Sequence, residues 1–393
     1  MCVLVYNASE LKTLGKKSGS TTVSGLASTE VTRHNLTNVD SNLPIPTVDK
    51  NGVLVKIKAC GLSIENDEVI LLLIMIQWEL LRKLEPNKLA VGNDIAGIVH
   101  EIGSNVTTLS VGDEVVGSIP LNYNVSGCAE FAVVDEYDLT KKPSGVSFVN
   151  AAGSIGDAVK AYTALRYLSN IRPGNTVLVL NGASPFGSLV IQLCHHSSAK
   201  VICTASTDDE KLYLDGLDPQ PGAKQNHSQQ LQFFYGHFFS ALVIDLKNKI
   251  NNLKNACLEE TDFNMFTKDE EQYSIHDKHS LYIPTKHDLI SILAVGGHWI
   301  TSAPNLQLDP PNAKLLYLRG ASVSFLFAQT WLLSPSKQGR YQRILNLNLN
   351  DVMDKLAKGI IRPNIHHTVS IEHSVEALKH LSEYKNGKVV TTV

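Results

Sequence analysis

The chain of 393 residues predicts two domains, a β-rich domain followed by a doubly wound parallel α/β domain. Three observations carry that prediction. Short apolar segments punctuated by glycines run from Gly52 to Val134. An Ala-rich stretch with helical spacing then begins at Ala151. Between Thr176 and Thr204 come a continuous apolar strand, a glycine turn, a helix and a second apolar strand, the unit from which parallel sheets are built.

Residues 1–45 are rich in Ser, Thr, Asn and Gly and read as loosely ordered, with at most one weak strand. Val53–Cys60 alternates as a half-buried strand does. Gly92–Gly117 reads as short strands turning at Gly97, Gly103, Gly112 and Gly117, and Ala129–Val134 adds another. Many short strands of this kind predict a barrel-like domain over residues 46–160. Ala151–Leu168 is helical, Pro173-Gly174 is a turn, and Thr176–Leu180 and Lys200–Thr204 are buried strands flanking the helix Gly187–His195. A further strand is expected over Ile290–Ile300, helices over Val352–Ala357 and Val375–Leu381, and a last strand over Gly387–Val393. The second domain is assigned to residues 161–325 and the closing segment to 326–393.

Net charge is −3 with a pI near 6.5, and no basic, aromatic-interleaved stripe is present, so nucleic acid is not expected as a partner. The longest apolar run, Val69–Ile76, falls well short of the roughly 20 residues needed to span a bilayer. It is read as a buried segment, and no membrane partner is expected. No signal peptide is read at the N-terminus. The six cysteines are scattered with no C-x-x-C pair and read as reduced thiols, so a cytoplasmic location is expected.

Gly182-Ala183-Ser184-Pro185-Phe186-Gly187 has G-x-G-x-x-G spacing with Ser184 at the second glycine, between a buried strand and a helix. That context is the dinucleotide-binding turn of a Rossmann fold: tight turn at Gly182, cofactor pyrophosphate at the helix N-terminus, close helix packing at Gly187. Gly182, Ser184, Phe186 and Gly187 are the candidate cofactor residues. Ser184 adds a side chain at the closest approach, and Pro185 removes an amide donor, so the alternative of a turn that no longer binds well stays open. The second strand ends Cys203-Thr204-Ala205-Ser206, without the carboxylate that grips the ribose of NAD. Ala205 and Ser206, with Lys211 as a counter-charge, favour NADPH.

Residues 52–140, Ala151-Ala152 with Ala161-Tyr162-Thr163-Ala164-Leu165, Arg172-Pro173-Gly174, and the tail Gly359–Pro363 with Gly387-Lys388-Val389-Val390 resemble the medium-chain dehydrogenase/reductase superfamily. Within it they look like the zeta-crystallin-type quinone oxidoreductase branch. The resemblance covers about residues 52–393, with two interruptions. It implies a GroES-like β-barrel domain followed by a Rossmann domain, with the last segment returning to the first domain. Zinc-dependent relatives carry a Cys where this chain has Ser63 and a His where it has Asn93, so the resemblance implies no metal. His195-His196 and His366-His367 are adjacent pairs whose side chains are expected to diverge rather than share an ion. The reductases carry a Thr where Lys160 stands, at the nicotinamide wall. Lys160 and Ser63 are therefore the candidate substrate or nicotinamide contacts, and Asp157 forms either a cleft pair or a surface pair with Lys160.

The family's fourth Rossmann strand is expected after Cys257–Thr261, but the polar Asp262–Glu270 follows instead. The Rossmann sheet is thus read as missing a strand, with Asp262–Ser280 a mobile loop. Ala241–Asp245 fits the preceding, third strand, and its Leu242–Ile244 is the best apolar candidate if another segment fills the gap. Pro219–Phe239 and Val69–Trp78 fit the family poorly. Two functions are carried forward. One is a zinc-independent, NADPH-dependent reductase passing hydride to a small quinone or enone, compatible with a homo-oligomer. The other is a non-catalytic or regulatory protein that keeps the fold.

Overall fold

In a computed structural model the chain divides into two compact units, Met1–Lys160 with Phe327–Val393, and Ala161–Leu326. The structure describes residues 3–7, 37–40, 44–62, 88–120, 123, 125–205, 207–217, 241–246, 286–303, 306–327, 329, 331–332, 340–381, 384 and 386–393. Ser63, Ser206, Pro219–Phe239, Val69–Trp78 and Asp262–Ser280 lie outside them.

The N-terminal segment read as loosely ordered contributes two strands, β1 (Val3–Asn7) and β2 (Thr37–Asp40), paired antiparallel. After β3 (Gly52–Leu62), β4 (Lys88–Ala90) returns to the other edge of β1. Then come β5 (Asp94–Ile102), β6 (Glu114–Ser118), β7 (Phe131–Asp135) and β8 (Leu139–Lys141). The strand β3 is not half-buried: only Lys56 is exposed, and Lys58 is intermediate. Its first half pairs with β7 along one edge while β5 covers the other, with register irregularities at Leu54/Val55 and Ile57/Ala59. Gly97 and Gly117 sit inside strands rather than at turns. A Cβ there would meet the carbonyl oxygens of Lys56 at 2.3 Å and Asp138 at 2.1 Å, so both mark close backbone approach. Helix α1 (Phe148–Tyr162) follows and continues as a π-helical turn, Thr163–Leu168.

The second unit is built from β9 (Thr176–Val179), α2 (Pro185–His196), β10 (Lys200–Cys203), α3 (Asp208–Asp215), β11 (Ala241–Leu246), α4 (Lys286–Ile292), β12 (Leu293–Thr301), α5 (Pro310–Arg319) and β13 (Ser322–Phe325). Its sheet runs β10-β9-β11-β12-β13. The strand expected to begin at Ile290 begins at Leu293. Leu289, Ile290 and Ile292 lie on α4 and pack with Leu178, Trp299 and Leu316, because a short apolar run suits a buried helix as well as a strand.

The central strand is the main departure from expectation. β10 pairs parallel with β9, and β12 with β13, but β11 is antiparallel to both β9 and β12. Ala241–Leu246 is therefore not the third strand beside β10. It occupies the place between β9 and β12, the gap for which Leu242–Ile244 was the candidate. The run Ala-Leu-Val-Ile-Asp-Leu has strand propensity but no intrinsic direction. Inserted antiparallel, it keeps β9 and β12 parallel to each other and pairs their facing edges, which would otherwise carry unsatisfied backbone groups costing about 1–3 kcal/mol each.

The chain then returns to the first unit through α6 (Arg340–Ala357), β14 (Ile365–Ser370), α7 (Ser374–Lys379) and β15 (Lys388–Thr392). β15 pairs with the second half of β3, on the edge that β7 leaves, and β14 extends that sheet in parallel. The described strands form an open sheet in the order β14-β15-β3-β5-β6-β8, with β7 on β3, where a barrel was expected. Val53, Val55, Ile57, Ile95, Val99 and Val389 lie in its core. No helix among the described residues is long and apolar enough to cross a membrane.

If β11 fills the gap, the amides of Leu242, Val243 and Ile244 exchange with solvent as slowly as those of β9, within about tenfold. Val243→Pro, which removes one ladder donor, lowers the thermal midpoint by several degrees. Exchange at the rate of an unstructured chain would show that the sheet is open there.

Candidate nucleotide turn and buried ion cluster

The turn between β9 and α2 is held by the end of β10. Asn181 is left-handed, with φ 58°. Its N–H donates to Thr204 Oγ1 at 2.9 Å, and the N–H of Gly182 donates to the Thr204 carbonyl at 2.9 Å. A Cβ on Gly182 would lie 2.8 Å from Cβ of Cys203, and one on Gly187 would lie 2.4 Å from the Asn181 carbonyl oxygen. Both glycines are thus fixed by packing, as strand–turn–helix geometry demands.

Ser184 does something else. It is the N-cap of α2: its hydroxyl donates to the Asn181 carbonyl at 2.7 Å and accepts from the Gly187 N–H at 3.0 Å. Pro185, in the first helical position, has no N–H. Of the helix-start positions that would offer an anion a donor, one is therefore spent inside the protein and one has no donor. Phe186 is buried, 3% exposed. Ala205 is also buried, at 1%, so it forms part of the packed end of β10 rather than an open pocket wall. Lys211 is half-buried on α3, whose first turn also carries Asp208, Asp209 and Glu210. The local balance there is acidic. Thr204 was not singled out from sequence; its only signal is a hydroxyl at the end of an apolar strand.

In the first unit the chemistry-bearing residues gather around one lysine. Lys388, on β15, is 3% exposed, and its Nζ lies 2.8 Å from Oδ2 of Asp94 on β5 and 2.8 Å from Oδ2 of Asp157 on α1. Ser118 donates to the other Asp94 oxygen at 3.1 Å. The carboxylate of Asp94 lies against Gly156, where a Cβ would come within 2.3 Å of it. That contact explains a glycine inside α1, where it costs about 1 kcal/mol relative to Ala. Burial raises the Asp94 carboxyl above the usual carboxylate range, against the pull of Lys388. Burial acts to lower Lys388, but Asp157 and Asp94 outweigh it and hold the ammonium above its usual range. The clue in the sequence was a charge inside each of two apolar runs, Asp94-Ile95-Ala96 and Lys388-Val389-Val390.

The partner of Asp157 is thus Lys388 and not Lys160, and Lys160, 2% exposed, is not a surface residue. Helical i, i+3 spacing placed the two on one face, but a lysine 231 residues away took the carboxylate. Asn93 donates through Nδ2 to the Ile119 carbonyl at 2.8 Å, so its side chain is committed to the fold. Cys60 and Cys128 are buried with their sulfurs 3.6 Å apart. The hydrogen bond between them and burial push the Cys60 thiol well up. No group of three or more His, Cys, Asp or Glu that could hold a metal ion occurs among the described residues.

Residues 49–164 match the alcohol dehydrogenase GroES-like domain. The chain is 39% identical over 330 residues to quinone oxidoreductase-like protein 1 of Mus musculus, covering 81% of this chain and 84% of that protein. It is 33% identical over 185 residues to the chloroplastic NADPH-dependent alkenal/one oxidoreductase of Arabidopsis thaliana, covering 45% of each. Among solved structures, the quinone oxidoreductase of Escherichia coli complexed with NADPH superposes with a TM-score of 0.66 at 16% identity, covering all of both chains. The CurK enoyl reductase gives 0.65 at 18% identity, over 91% of this chain and 95% of that one. The fold is that of the medium-chain dehydrogenases and reductases, and the chain belongs to the zeta-crystallin-type quinone oxidoreductase branch of that superfamily.

Lys388→Met leaves two buried carboxylates uncompensated and is expected to cost about 3–5 kcal/mol, read by denaturant unfolding. Replacing Asp94 and Asp157 by Leu in the same chain recovers most of the loss. Because the folded state raises the lysine, its contribution is full below about pH 10.4. It is lost as pH rises through the folded value, so the gap between wild type and Lys388→Met narrows in that alkaline range. The gap also narrows on acidification, where protonation of the buried Asp94 carboxyl, already raised, relieves the variant and weakens the wild-type pair.

Proposed function

We propose that the chain is a zinc-independent, NADPH-dependent oxidoreductase that reduces quinones or other activated enones. The observation that carries this reading is the β9–turn–α2 junction, with its two packing glycines in place, in a chain of this branch. The printed names of its relatives support the substrate class and the cofactor: a quinone oxidoreductase-like protein, an NADPH-dependent alkenal/one oxidoreductase, and a quinone oxidoreductase complexed with NADPH. The turn fits a dinucleotide in topology and in the neutral end of β10, and a bound nicotinamide dinucleotide supplies the hydride. Gly182, Ser184 and Gly187 would lie against its pyrophosphate region, with the Gly187 N–H already donated to Ser184. Phe186 supports the turn from the core, and Ala205, Ser206 and Lys211 would be the nearest residues to the ribose on this reading. Lys160 and Ser63 are the residues that would contact the nicotinamide or the substrate on this reading. The Asn93 side chain, which donates to the Ile119 carbonyl, supports the zinc-independent part of this reading.

A second reading, a non-catalytic or regulatory protein with the same fold, is favoured by one observation. The Ser184 hydroxyl occupies the Gly187 N–H, next to a proline that has none. Both readings make the same prediction about weakness: cofactor affinity is limited by the self-capped turn.

Titration of the purified chain with both cofactors, followed by fluorescence, distinguishes them. NADPH is expected to bind about tenfold more tightly than NADH, a difference of about 1.4 kcal/mol. A larger preference is not expected, because the acidic start of α3 opposes a second phosphate. Chelators leave quinone reduction unchanged. Cooperative melting with no binding of either cofactor would favour the second reading.

Ser184→Gly releases the Gly187 donor and clears the closest approach. It is expected to tighten NADPH binding about fivefold, the worth of about 1 kcal/mol. Stability falls by only a few tenths of a kcal/mol, since Gly is itself a tolerated cap. Unchanged or weaker binding in this variant would mean that the pyrophosphate does not approach Ser184.

A further inference from the structure

Two adjacent histidines on a regular strand point to opposite faces of the sheet. His366 and His367 do not. Along β14 the pairing with β15 steps from Ile365↔Lys388 to His367↔Val389, two residues on one strand against one on the other. The extra residue is His366, and the irregularity turns both imidazoles to the same side. Their Nδ1 atoms lie 2.6 Å apart, one ring donating and the other accepting according to tautomer. Both rings also pack on Tyr384, with centroids at 4.9 and 4.8 Å. The backbone behind them is fixed by close approach. Gly387, at φ 85°, has room for no Cβ, which would meet the His366 nitrogen at 2.9 Å and the Asn364 carbonyl oxygen at 3.0 Å. The Lys388 N–H donates to that same carbonyl at 2.8 Å.

We propose that His366 and His367 form a surface site for a divalent first-row transition ion, bound through the two Nδ1 atoms with water completing its coordination. His366 is exposed and His367 half-buried, so an ion reaches the pair without any opening of the fold. Metal–nitrogen bonds of about 2.0–2.1 Å at a right angle place two donors about 2.9 Å apart, so the rings need to separate by a few tenths of an ångström and to turn until both lone pairs point at the ion. The proton now shared between the Nδ1 atoms moves, through water, to the Nε2 of the ring that gives it up. This transfer is a change of tautomer and releases no net proton. Imidazole donors select nickel, copper or zinc over magnesium, which prefers oxygen. With two protein ligands instead of the four of a structural site, affinity is expected in the micromolar range. The same pair, read from sequence as divergent, is made convergent by the irregularity in β14.

The test is calorimetric titration of the tag-free full chain with Ni2+, with Zn2+ and Mg2+ alongside, for wild type, H366A, H367A and the double variant. The expected result is one Ni2+ per wild-type chain, weaker binding by at least tenfold in each single variant, loss in the double variant, and no Mg2+ uptake. Circular dichroism melting of the double variant within a degree or two of wild type shows that the loss is not unfolding. If the double variant unfolds, H367Q, which keeps the bulk and a polar tip, takes its place in the titration. Equal Ni2+ binding by wild type and variant, or none by wild type, overturns the proposal.

Discussion

A single buried ammonium organises the first unit. Lys388 sits on the last strand, Asp94 at the start of β5 and Asp157 in the middle of α1, so the ion cluster joins segments 231 and 294 residues away from the lysine. Burying three charged groups is expensive, and the ammonium offsets that cost by pairing with both carboxylates while Ser118 donates to the second Asp94 oxygen. Its geometry constrains the neighbourhood in turn. Gly156 has to be a glycine because a carboxylate occupies the space of its side chain. Ser118 is held to the second Asp94 oxygen, and Asn93, one residue before, is anchored to Ile119. β15 lies on the half of β3 that β7 leaves uncovered, so the terminal strand completes the sheet as well as delivering the lysine.

The second unit rests on a different constraint, the close approach of the turn to the end of β10 at Gly182 and of α2 to that turn at Gly187. Gly182 and Gly187 serve that packing whether or not a nucleotide binds, which is why a glycine pattern by itself is weak evidence of binding. Ser184 decides between the two uses. By capping α2 through Gly187 it stabilises the helix start, and by the same bond it withdraws a donor from any phosphate. Fold stability and ligand affinity therefore compete for one N–H group, and the outcome is a turn built first for the fold.

The antiparallel β11 shows how an otherwise parallel sheet accommodates a strand of the opposite direction. Backbone donors and acceptors pair in either direction, with somewhat different spacing, so an apolar segment of the right length repairs both open edges. It does so at a position where the chain direction of the neighbours stays unchanged. The irregularity at His366 is a smaller case of the same kind: a local change in pairing alters which face a side chain takes, and with it the chemistry available there.

Periodicity and punctuation in the sequence determined most elements. The apolar β9 and β10 and the glycine turn between them, the Ala-rich α1, and the last strand are all legible from residue spacing, as is the two-domain order. The resemblance of the motifs added the family. What spacing does not contain is the partner of each residue. Asp157 shares a helical face with Lys160, yet its carboxylate bonds Lys388. Ala241–Leu246 is plainly a strand, but its neighbours and direction are set by which edges remain unpaired once the rest of the sheet has formed. His366 and His367 alternate on any regular strand and converge only because β14 pairs irregularly with β15. Local propensity depends on a residue and its near neighbours. Pairing, burial of charge and convergence of side chains depend on segments hundreds of residues apart, and these are decided when the chain closes on itself.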